Sequence, residues 1–489
     1  MIKQYHRDRK QRDVRLQAPT HRCHPCISAP EPQRTAAYQI VQHHLETWLS
    51  NTREAHPDDN PVPYYVERDL RKFLECGILA HGFTRVRCET CGENFLIAYS
   101  CKGRGICSSC NTKRLFETSV KLLEHRFPQV PVRQWVITLP KRLRYFLLRD
   151  SQLTGRVLQI GLRVIERTLR EHCPDAPLTA KYGGITYIHR FGSTLNAHLH
   201  YHSCLIDGVF AQTENGLRFY ETVGLTQKVI QTAQETIRNR VLRLFVRRDL
   251  LSSDESEQML TWENGGGFSL HAQVRIAAND REGLERLLRY CTRPINAGER
   301  LSWLEKDERL IYRLSKPQHD GQTVLRLTPM EFLDRMAVLI PSPRCHRHRY
   351  HGVLAPNAPL RQAVSERAGL PVQSEKAVVA QEQNSVAKEE QASGHFYSSF
   401  WAMLLVKVFE INPWVCPGCG GEMKIIAFVI ERQPIGRILQ PIGEPDHAPA
   451  ISPARGPPVS DAEINQTQGW DDNAVDPIPD YEFDQTINY

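Results

Sequence analysis

A thirteen-residue stretch, 196–208, places three histidines two positions apart, and an apolar run and a turn follow them. In a β-strand, side chains two positions apart project from the same face. His198, His200 and His202 would therefore share one face, while the residues between them face the core. Imidazoles grouped in this way can bind a divalent metal ion. The stretch predicts a strand of a sheet with a metal site on one face, rather than a chance run of exposed histidines.

Length and composition are those of a soluble globular protein with roughly three domains. The chain has 489 residues, of which 41% are hydrophobic and 24% are charged. No apolar run approaches the roughly 20 residues that a membrane span needs, and the first residues lack the apolar core of a secretory signal. We therefore expect a cytoplasmic protein.

Charge is distributed unevenly along the chain. The net charge is +7, yet residues 457–489 contain eight acidic residues and no Lys or Arg, so residues 1–456 carry +15. A basic body of this kind favours a polyanionic partner such as nucleic acid.

Fourteen cysteines in a cytosolic chain are better explained by metal binding than by disulfides. Cys88 and Cys91 form one Cys-x2-Cys pair, Cys107 and Cys110 form another, and 15 residues separate the pairs. This spacing is typical of a structural four-thiolate zinc site, which has no open position for catalysis. Cys101, between the pairs, is interpreted as a spare thiol.

Two further cysteine pairs are weaker signals. Cys416 and Cys419 form a knuckle with no second pair after it. It either recruits another ligand, such as Cys345, His346 or His348, or is a decayed half-site. The pair at positions 23 and 26 lies in a polar, Pro-rich segment.

Periodicity and caps predict the main elements. Strands are expected at 134–139, about 184–191, 197–206 and 268–276, and helices at 36–48, 65–76, 115–126, about 141–172, 225–249, 280–291 and from 328. Asn279 and Glu282 have capping-box spacing for the helix at 280, and Thr328 and Glu331 repeat it for the last helix.

Composition suggests the following domain boundaries. We expect a poorly ordered extension at 1–35, a helical and zinc-binding domain at 36–126, a main domain at 130–360, a linker at 366–394, a small module with the cysteine knuckle at 396–440, and a disordered acidic tail at 441–489.

Tyr290 follows the apolar stripe of the helix predicted at 280–291, about 60° beyond Leu287. One interpretation is a tyrosine at the edge of the core. The other is a phenol held at the rim of the metal site, where it attacks a phosphodiester.

Several motifs together resemble the rolling-circle transposases of the bacterial insertion sequence 91 family, over roughly residues 36–440. They are Arg85–Gly92, Cys101–Cys110, Pro131–Val136, His200-Tyr201-His202, Arg289-Tyr290-x2-Arg293-Pro294 and Arg347–Leu354.

The resemblance implies an α+β fold with a central RRM-like antiparallel sheet and flanking helices, preceded by a small zinc-binding domain. It implies an HUH-type enzyme in which His200 and His202 bind metal and Tyr290 attacks DNA to form a 5′-phosphotyrosine. Arg293 would hold a phosphate. Because no other tyrosine lies within four residues of Tyr290, this chain resembles a single-tyrosine version.

Mg²⁺ or Mn²⁺ would need a third ligand beside His200 and His202. His198, His189 and His271 are the candidates. A turn near residues 193–194 would place His189 opposite His198.

A basic cluster at 344–351 is dense enough to contact a DNA backbone through Arg344, Arg347 and Arg349, although a solvated basic loop has the same composition. We therefore predict a nucleoid-associated transposase that nicks single-stranded DNA at element ends. The alternatives are a non-catalytic, zinc-stabilised DNA-binding protein and a phosphoesterase that uses water.

Overall fold

The computed structural model describes residues 32–57, 61–293, 300–318, 320–368 and 416–455. The fold is α+β, with antiparallel sheets flanked by helices, as the resemblance implied. The helices are α1 (Ala36–Ala55), α2 (Tyr64–Glu75), α3 (Ser108–His125), α4 (Lys141–Arg149), α5 (Ser151–Glu171), α6 (Gln227–Val246), α7 (Ser253–Thr261), α8 (Arg281–Thr292), α9 (Pro329–Leu339), α10 (Arg361–Ser365) and α11 (Arg432–Leu439).

The strands are β1 (Phe83–Cys88), β2 (Asn94–Ala98), β3 (Val132–Thr138), β4 (Gly183–Phe191), β5 (Ala197–Ile206), β6 (Gly208–Thr213), β7 (Gly216–Glu221), β8 (Ser269–His271), β9 (Arg275–Ile276), β10 (Leu301–Leu304), β11 (Arg309–Arg313), β12 (Val324–Leu327), β13 (His348–Gly352) and β14 (Met423–Val429). Among the described helices, none combines the length and the apolar character that crossing a membrane requires.

The central sheet has the strand order β13-β4-β5-β3-β8, and β9 also pairs with β3. Alternation along β3 and β5 divides the sheet into two faces. Trp135 and Tyr201 belong to one face and are buried against α5 and α6. The other face carries the histidines of β5 and is covered by α8 and by residues at the end of α3.

The expected strand at 268–276 is broken into β8 and β9. In one regular strand, alternation would place Leu270, Ala272, Val274 and Ile276 on the same face. Instead, Leu270 and Ala272 pack on the α5/α6 side, whereas Val274 and Ile276 pack on the α8 side. The irregular residues between the two strands shift the alternation by one position.

Helix boundaries follow local capping. The helix expected at about 141–172 is two helices because Asp150 is extended (φ −111°, ψ 104°) and its carboxylate accepts the N–H groups of Gln152 and Leu153 at the start of α5. The N-cap of α8 is Asp280, not the predicted Asn279, and it accepts the Gly283 N–H. The capping box at Thr328 is confirmed.

The C-terminal residues join the N-terminal part of the fold. β14 pairs antiparallel with β1 in a sheet of order β14-β1-β2. The expectation of a separate module at 396–440 is therefore wrong for its described residues. The linker 366–394 lies almost wholly outside the described residues, as does most of the extension 1–35, including Cys23 and Cys26.

The expectation of a disordered tail from residue 441 is also wrong over 441–455. The Ser452 N–H donates to the Gln42 carbonyl (2.9 Å), and the Arg455 N–H donates to Thr47 Oγ1 (3.0 Å). These bonds fix the segment against α1. Eight of the ten acidic residues of the expected tail lie beyond 455, outside the described part of the chain.

Candidate active site and zinc clusters

Three buried histidines meet on the α8 side of the central sheet. The possible ligand nitrogens of His189, His200 and His202 all lie within 4.8 Å of one another. The ring centroid of His189 is 5.1 Å from that of His200 and 4.5 Å from that of His202. The structure therefore brings together the predicted pair on β5 and one of the three candidates for the third ligand.

The third histidine of this group is His189 and not His198, which the sequence predicted on the metal face with His200 and His202. His189 pairs with His200 across β4 and β5, not with His198 as a simple turn would require. An irregularity between His189 and Phe191 shifts the register, and the turn includes Leu195 with a φ of 55°. His198 is buried 5.0 Å from the His200 ring but lies outside the group, and His271 lies on β8, beyond β3.

Each imidazole of the group keeps one nitrogen without a hydrogen-bond partner. His200 Nδ1 donates to the His198 carbonyl (3.1 Å), and His189 Nε2 donates to the Cys291 carbonyl (2.6 Å). His200 Nε2, His189 Nδ1 and His202 Nε2 are buried and unpartnered. Burial lowers the pKa of all three rings well below the usual value. Neutral imidazoles that lie this close together, each with a free nitrogen, suit a metal ion.

Gln134 on β3 contacts the remaining nitrogen of His202. The Gln134 amide lies 2.9 Å from His202 Nδ1, and the Gln134 Oε1 atom is buried without a partner. A metal at His202 Nε2 requires the proton on Nδ1, and the Gln134 oxygen is the group that would accept it after a 180° rotation of the amide. Sequence reasoning did not single out Gln134, because an amide in a strand is an ordinary residue until its partner is known.

We expect His189→Ala to weaken Mn²⁺ binding by more than the roughly 10–100-fold typical for loss of an outer-shell partner. The reason is the loss of one of three converging nitrogens. The matched variant His198→Ala removes a neighbouring buried imidazole outside the group and should change affinity only a few-fold. Calorimetric titration with Mn²⁺ measures both, and equal effects would contradict this ligand set.

Tyr290 lies at the rim of the histidine group. Its ring is half-buried, with its centroid 5.7 Å from that of His202 in an edge-on arrangement. The guanidinium carbon of Arg293 lies 4.6 Å from the Tyr290 ring centroid and 5.9 Å from that of Phe191. The fold thus brings the predicted tyrosine and arginine to the histidine face, because α8 covers that face and ends at Thr292.

The predicted single zinc site is divided between two clusters. Cys107 and Cys110 group with Cys76 and Cys101, so Cys101 is not a spare thiol. Cys76 was missed because it stands alone at the end of α2, with no paired cysteine nearby in sequence. Three sulfur–sulfur distances in this cluster are 3.5–3.6 Å.

Cys88 and Cys91 group with Cys416 and Cys419 in the second cluster. The Sγ atoms of Cys88 and Cys419 are 3.5 Å apart, and those of Cys91 and Cys416 are 3.6 Å apart. Tetrahedral zinc with Zn–S bonds of about 2.3 Å places sulfurs roughly 3.8 Å apart, so both clusters fit zinc. The Cys91 N–H donates to the Cys88 sulfur and lowers the pKa of that thiol to about 6.

The three arginines predicted to contact DNA do not form one surface. Arg344 is exposed, with a φ of 64°. Arg347 donates to the Arg104 carbonyl (3.2 Å) and to Asn111 Oδ1 (2.7 Å). Arg349 lies over Gly155 of α5, on the opposite side of the sheet from the histidine group.

Two family models match this chain. Residues 40–139 match a transposase zinc-binding domain of the insertion sequence 91 type, and residues 183–361 match a putative transposase. Together the two matches cover more than half of the chain. This chain belongs to the insertion sequence 91 family of transposases. Searches of curated proteins and of solved structures gave no match.

The family matches and the cysteine clusters together support structural zinc in this transposase. The matched zinc-binding domain contains six of the eight clustered cysteines, at positions 76, 88, 91, 101, 107 and 110. The remaining two, Cys416 and Cys419, lie outside both matched ranges. The histidine group and Tyr290 lie within the range that matches the putative transposase.

Proposed function

We propose that this transposase nicks and rejoins single-stranded DNA at the ends of its element by attack of Tyr290 on a backbone phosphate. His189, His200 and His202 would hold a divalent ion, Mn²⁺ or Mg²⁺, beside the scissile phosphate. The observation that carries the proposal is a group of three buried imidazoles, each with an unpartnered nitrogen, at which the His202 ring contacts Tyr290 edge-on.

The reaction exchanges one phosphate ester for another. The phenol of Tyr290 loses its proton, its oxygen forms a bond to phosphorus, and the bond to the 3′-oxygen of the preceding nucleotide breaks. The products are a 5′-phosphotyrosine and a strand with a free 3′-hydroxyl. Attack by a 3′-hydroxyl on the phosphotyrosine reverses the exchange and joins strands, so no nucleoside triphosphate is required.

The residues around Tyr290 lower two barriers to this exchange. A phenol has a pKa of about 10 in water and is a weak nucleophile at neutral pH. The divalent ion, when bound, supplies polarisation of the phosphate and neutralises its charge. Arg293, whose guanidinium lies over the Tyr290 ring, would hold a nonbridging phosphate oxygen and orient the phosphate toward the phenol.

We further propose that the main catalytic unit spans about 130–360 and that the zinc clusters fix the elements around it. One cluster fixes α3 to the end of α2, and the other fixes β14 to β1. A closed zinc site contributes folding energy and no catalysis. Its contribution to DNA-end recognition would come from the basic residues that it positions.

The proposal is tested by determining which fragment of the cut DNA strand becomes covalently attached to the protein. The protein is incubated with Mn²⁺ and a single-stranded oligonucleotide of an element end, labelled at either terminus. On a denaturing gel, the 3′-labelled strand should give a labelled protein adduct, and the 5′-labelled strand should give a shorter free product with a 3′-hydroxyl.

The two alternatives give different gels. A non-catalytic DNA-binding protein retards the strand on a native gel but leaves it uncut under denaturing conditions. A phosphoesterase that uses water cuts the strand without any labelled adduct. Either result would contradict attack by tyrosine.

A further inference from the structure

A pocket next to the histidine group lies between the zinc-binding unit and the central sheet. Arg104 and Arg114 line it from the zinc-binding side, Tyr187 and His189 from β4, and Arg347 from the segment before β13. The cavity volume is about 70 Å³, and the pocket opens to solvent. This is room for a few water molecules or one phosphate group, whereas a whole nucleotide or a DNA duplex is too large.

The pocket gathers positive charge without a balancing acid. Among the described residues that line it, there is no Asp or Glu. Asp69, whose carboxylate acts electrostatically on Arg104, lies outside this lining, against Gly103 and Gly105. Burial, together with the charges of Arg114 and Arg104, lowers the pKa of Arg347 to about 10. An anionic ligand would relieve this repulsion.

Two buried donors of the pocket lack an acceptor. The hydroxyl of Tyr187 has no hydrogen-bond partner, although the residue is only 3% exposed. Nη1 of Arg114 is buried without a partner as well, while its Nη2 donates to the Lys102 carbonyl (2.9 Å). A buried donor without an acceptor costs free energy, so such donors commonly mark a ligand site.

The pocket is continuous with the proposed reaction site. His189, Phe191 and Cys291 line it. The Phe191 ring is also 5.9 Å from the guanidinium carbon of Arg293, which in turn stacks on Tyr290. A strand whose scissile phosphate lies at Tyr290 would therefore pass its neighbouring phosphate into the pocket.

We propose that the pocket of Arg104, Arg114, Arg347 and Tyr187 binds a backbone phosphate of single-stranded DNA next to the scissile phosphate. The position of that phosphate rests on the proposed function. The zinc-binding unit thereby forms part of the wall of the active site, because the cysteine cluster at 76, 101, 107 and 110 encloses the loop that carries Arg104.

Tyr187→Phe tests the hydroxyl. Binding of a fluorescent single-stranded oligonucleotide is measured by anisotropy in the full chain carrying Tyr290→Phe, so that no cleavage intervenes. Loss of a hydrogen bond to a charged group should weaken binding by about 10-fold. Thermal stability should stay equal or rise, because the hydroxyl has no partner in the protein.

Tyr201→Phe is the matched control. Its hydroxyl donates to the Thr154 carbonyl (3.0 Å) on the opposite face of the sheet. This variant should lose stability and keep its affinity for the oligonucleotide. If Tyr187→Phe and Tyr201→Phe bind the oligonucleotide equally, the pocket does not bind the strand.

Arg114→Gln tests the charge. For single strands, each phosphate that the protein no longer neutralises should reduce the slope of log affinity against log salt by about 0.7. Arg240→Gln, with an exposed arginine on α6, removes the same charge on the other side of the sheet and should leave the slope unchanged. Equal slopes for the two variants would overturn the proposal.

Inorganic phosphate is the second probe, at matched ionic strength. A site for a DNA strand binds the oligonucleotide much more tightly than phosphate. A site for free phosphate would bind that anion, and Tyr187→Phe would leave oligonucleotide affinity unaltered, which contradicts the proposal. Because these assays measure binding alone, they can succeed even if no covalent adduct forms in the cleavage assay.

Discussion

Tyr290→Phe is expected to abolish the covalent adduct between the protein and single-stranded DNA, with the cleavage rate falling on the order of 10⁴-fold or more. The variant removes the only oxygen that we assign as nucleophile. It keeps the ring that contacts His202 and Arg293, so DNA binding should remain. Gel analysis of labelled adducts measures the loss, and anisotropy measures the binding.

Tyr350→Phe provides the control for this prediction. Tyr350 lies on β13, is half-buried, and packs edge-on against His348. Its loss should leave adduct formation near the wild-type level. Adduct that persists in Tyr290→Phe would assign the chemistry to a different nucleophile, whereas cleavage without adduct in that variant would indicate a water-dependent phosphoesterase.

Cys416→Ser combined with Cys419→Ser is expected to reduce the zinc content from two ions per chain to one. These residues supply two of the four sulfurs in the cluster with Cys88 and Cys91. Cys416 lies 325 residues after Cys91 in the chain. Zinc binding stabilises small zinc domains by roughly 10–16 kcal/mol at neutral pH. Loss of this ion should therefore release β14 from β1 and lower the thermal stability of that sheet.

Elemental analysis of the purified protein measures the zinc content, and limited proteolysis between β14 and α11 measures the release. Cys345→Ser is the matched control, since that thiol is a potential partner of the Cys416 knuckle by sequence but belongs to neither cluster. One zinc ion per chain in the wild type, unaffected by the double variant, would support the single site that the sequence suggested and contradict the two clusters.

Local sequence signals gave accurate elements wherever one periodicity or one cap decided the outcome. The histidine strand, the helix that carries Tyr290 and the capping box at Thr328 are examples. Errors arose where one or a few irregular residues changed the direction of the chain. Asp150 divides one apparent helix into two, and the break between β8 and β9 reverses the face of an alternating segment.

Cysteine spacing alone could not pair the zinc ligands. Two Cys-x2-Cys knuckles that are close in sequence can bind one zinc ion. Two knuckles that are far apart in sequence can do the same if the fold brings them together. The choice depends on the antiparallel pairing of β1 with β14, which brings Cys88 and Cys91 to Cys416 and Cys419. Cys76 gave no signal because a single cysteine has no spacing to interpret.

The sequence by itself determined which reactive residue types this transposase carries and where: the imidazoles of one strand, a tyrosine at the end of an amphipathic helix, and enough cysteines for zinc. These features depend on residue types at short, fixed spacings. The periodicity of a strand or helix places such residues on the same face of that element. The tertiary structure decided their partners. His189 rather than His198 completes the histidine group because of the strand register, which depends on an irregularity in β4. The zinc ligands and the arginine pocket are likewise assembled from distant segments, and only the packing of the sheets and helices brings them together.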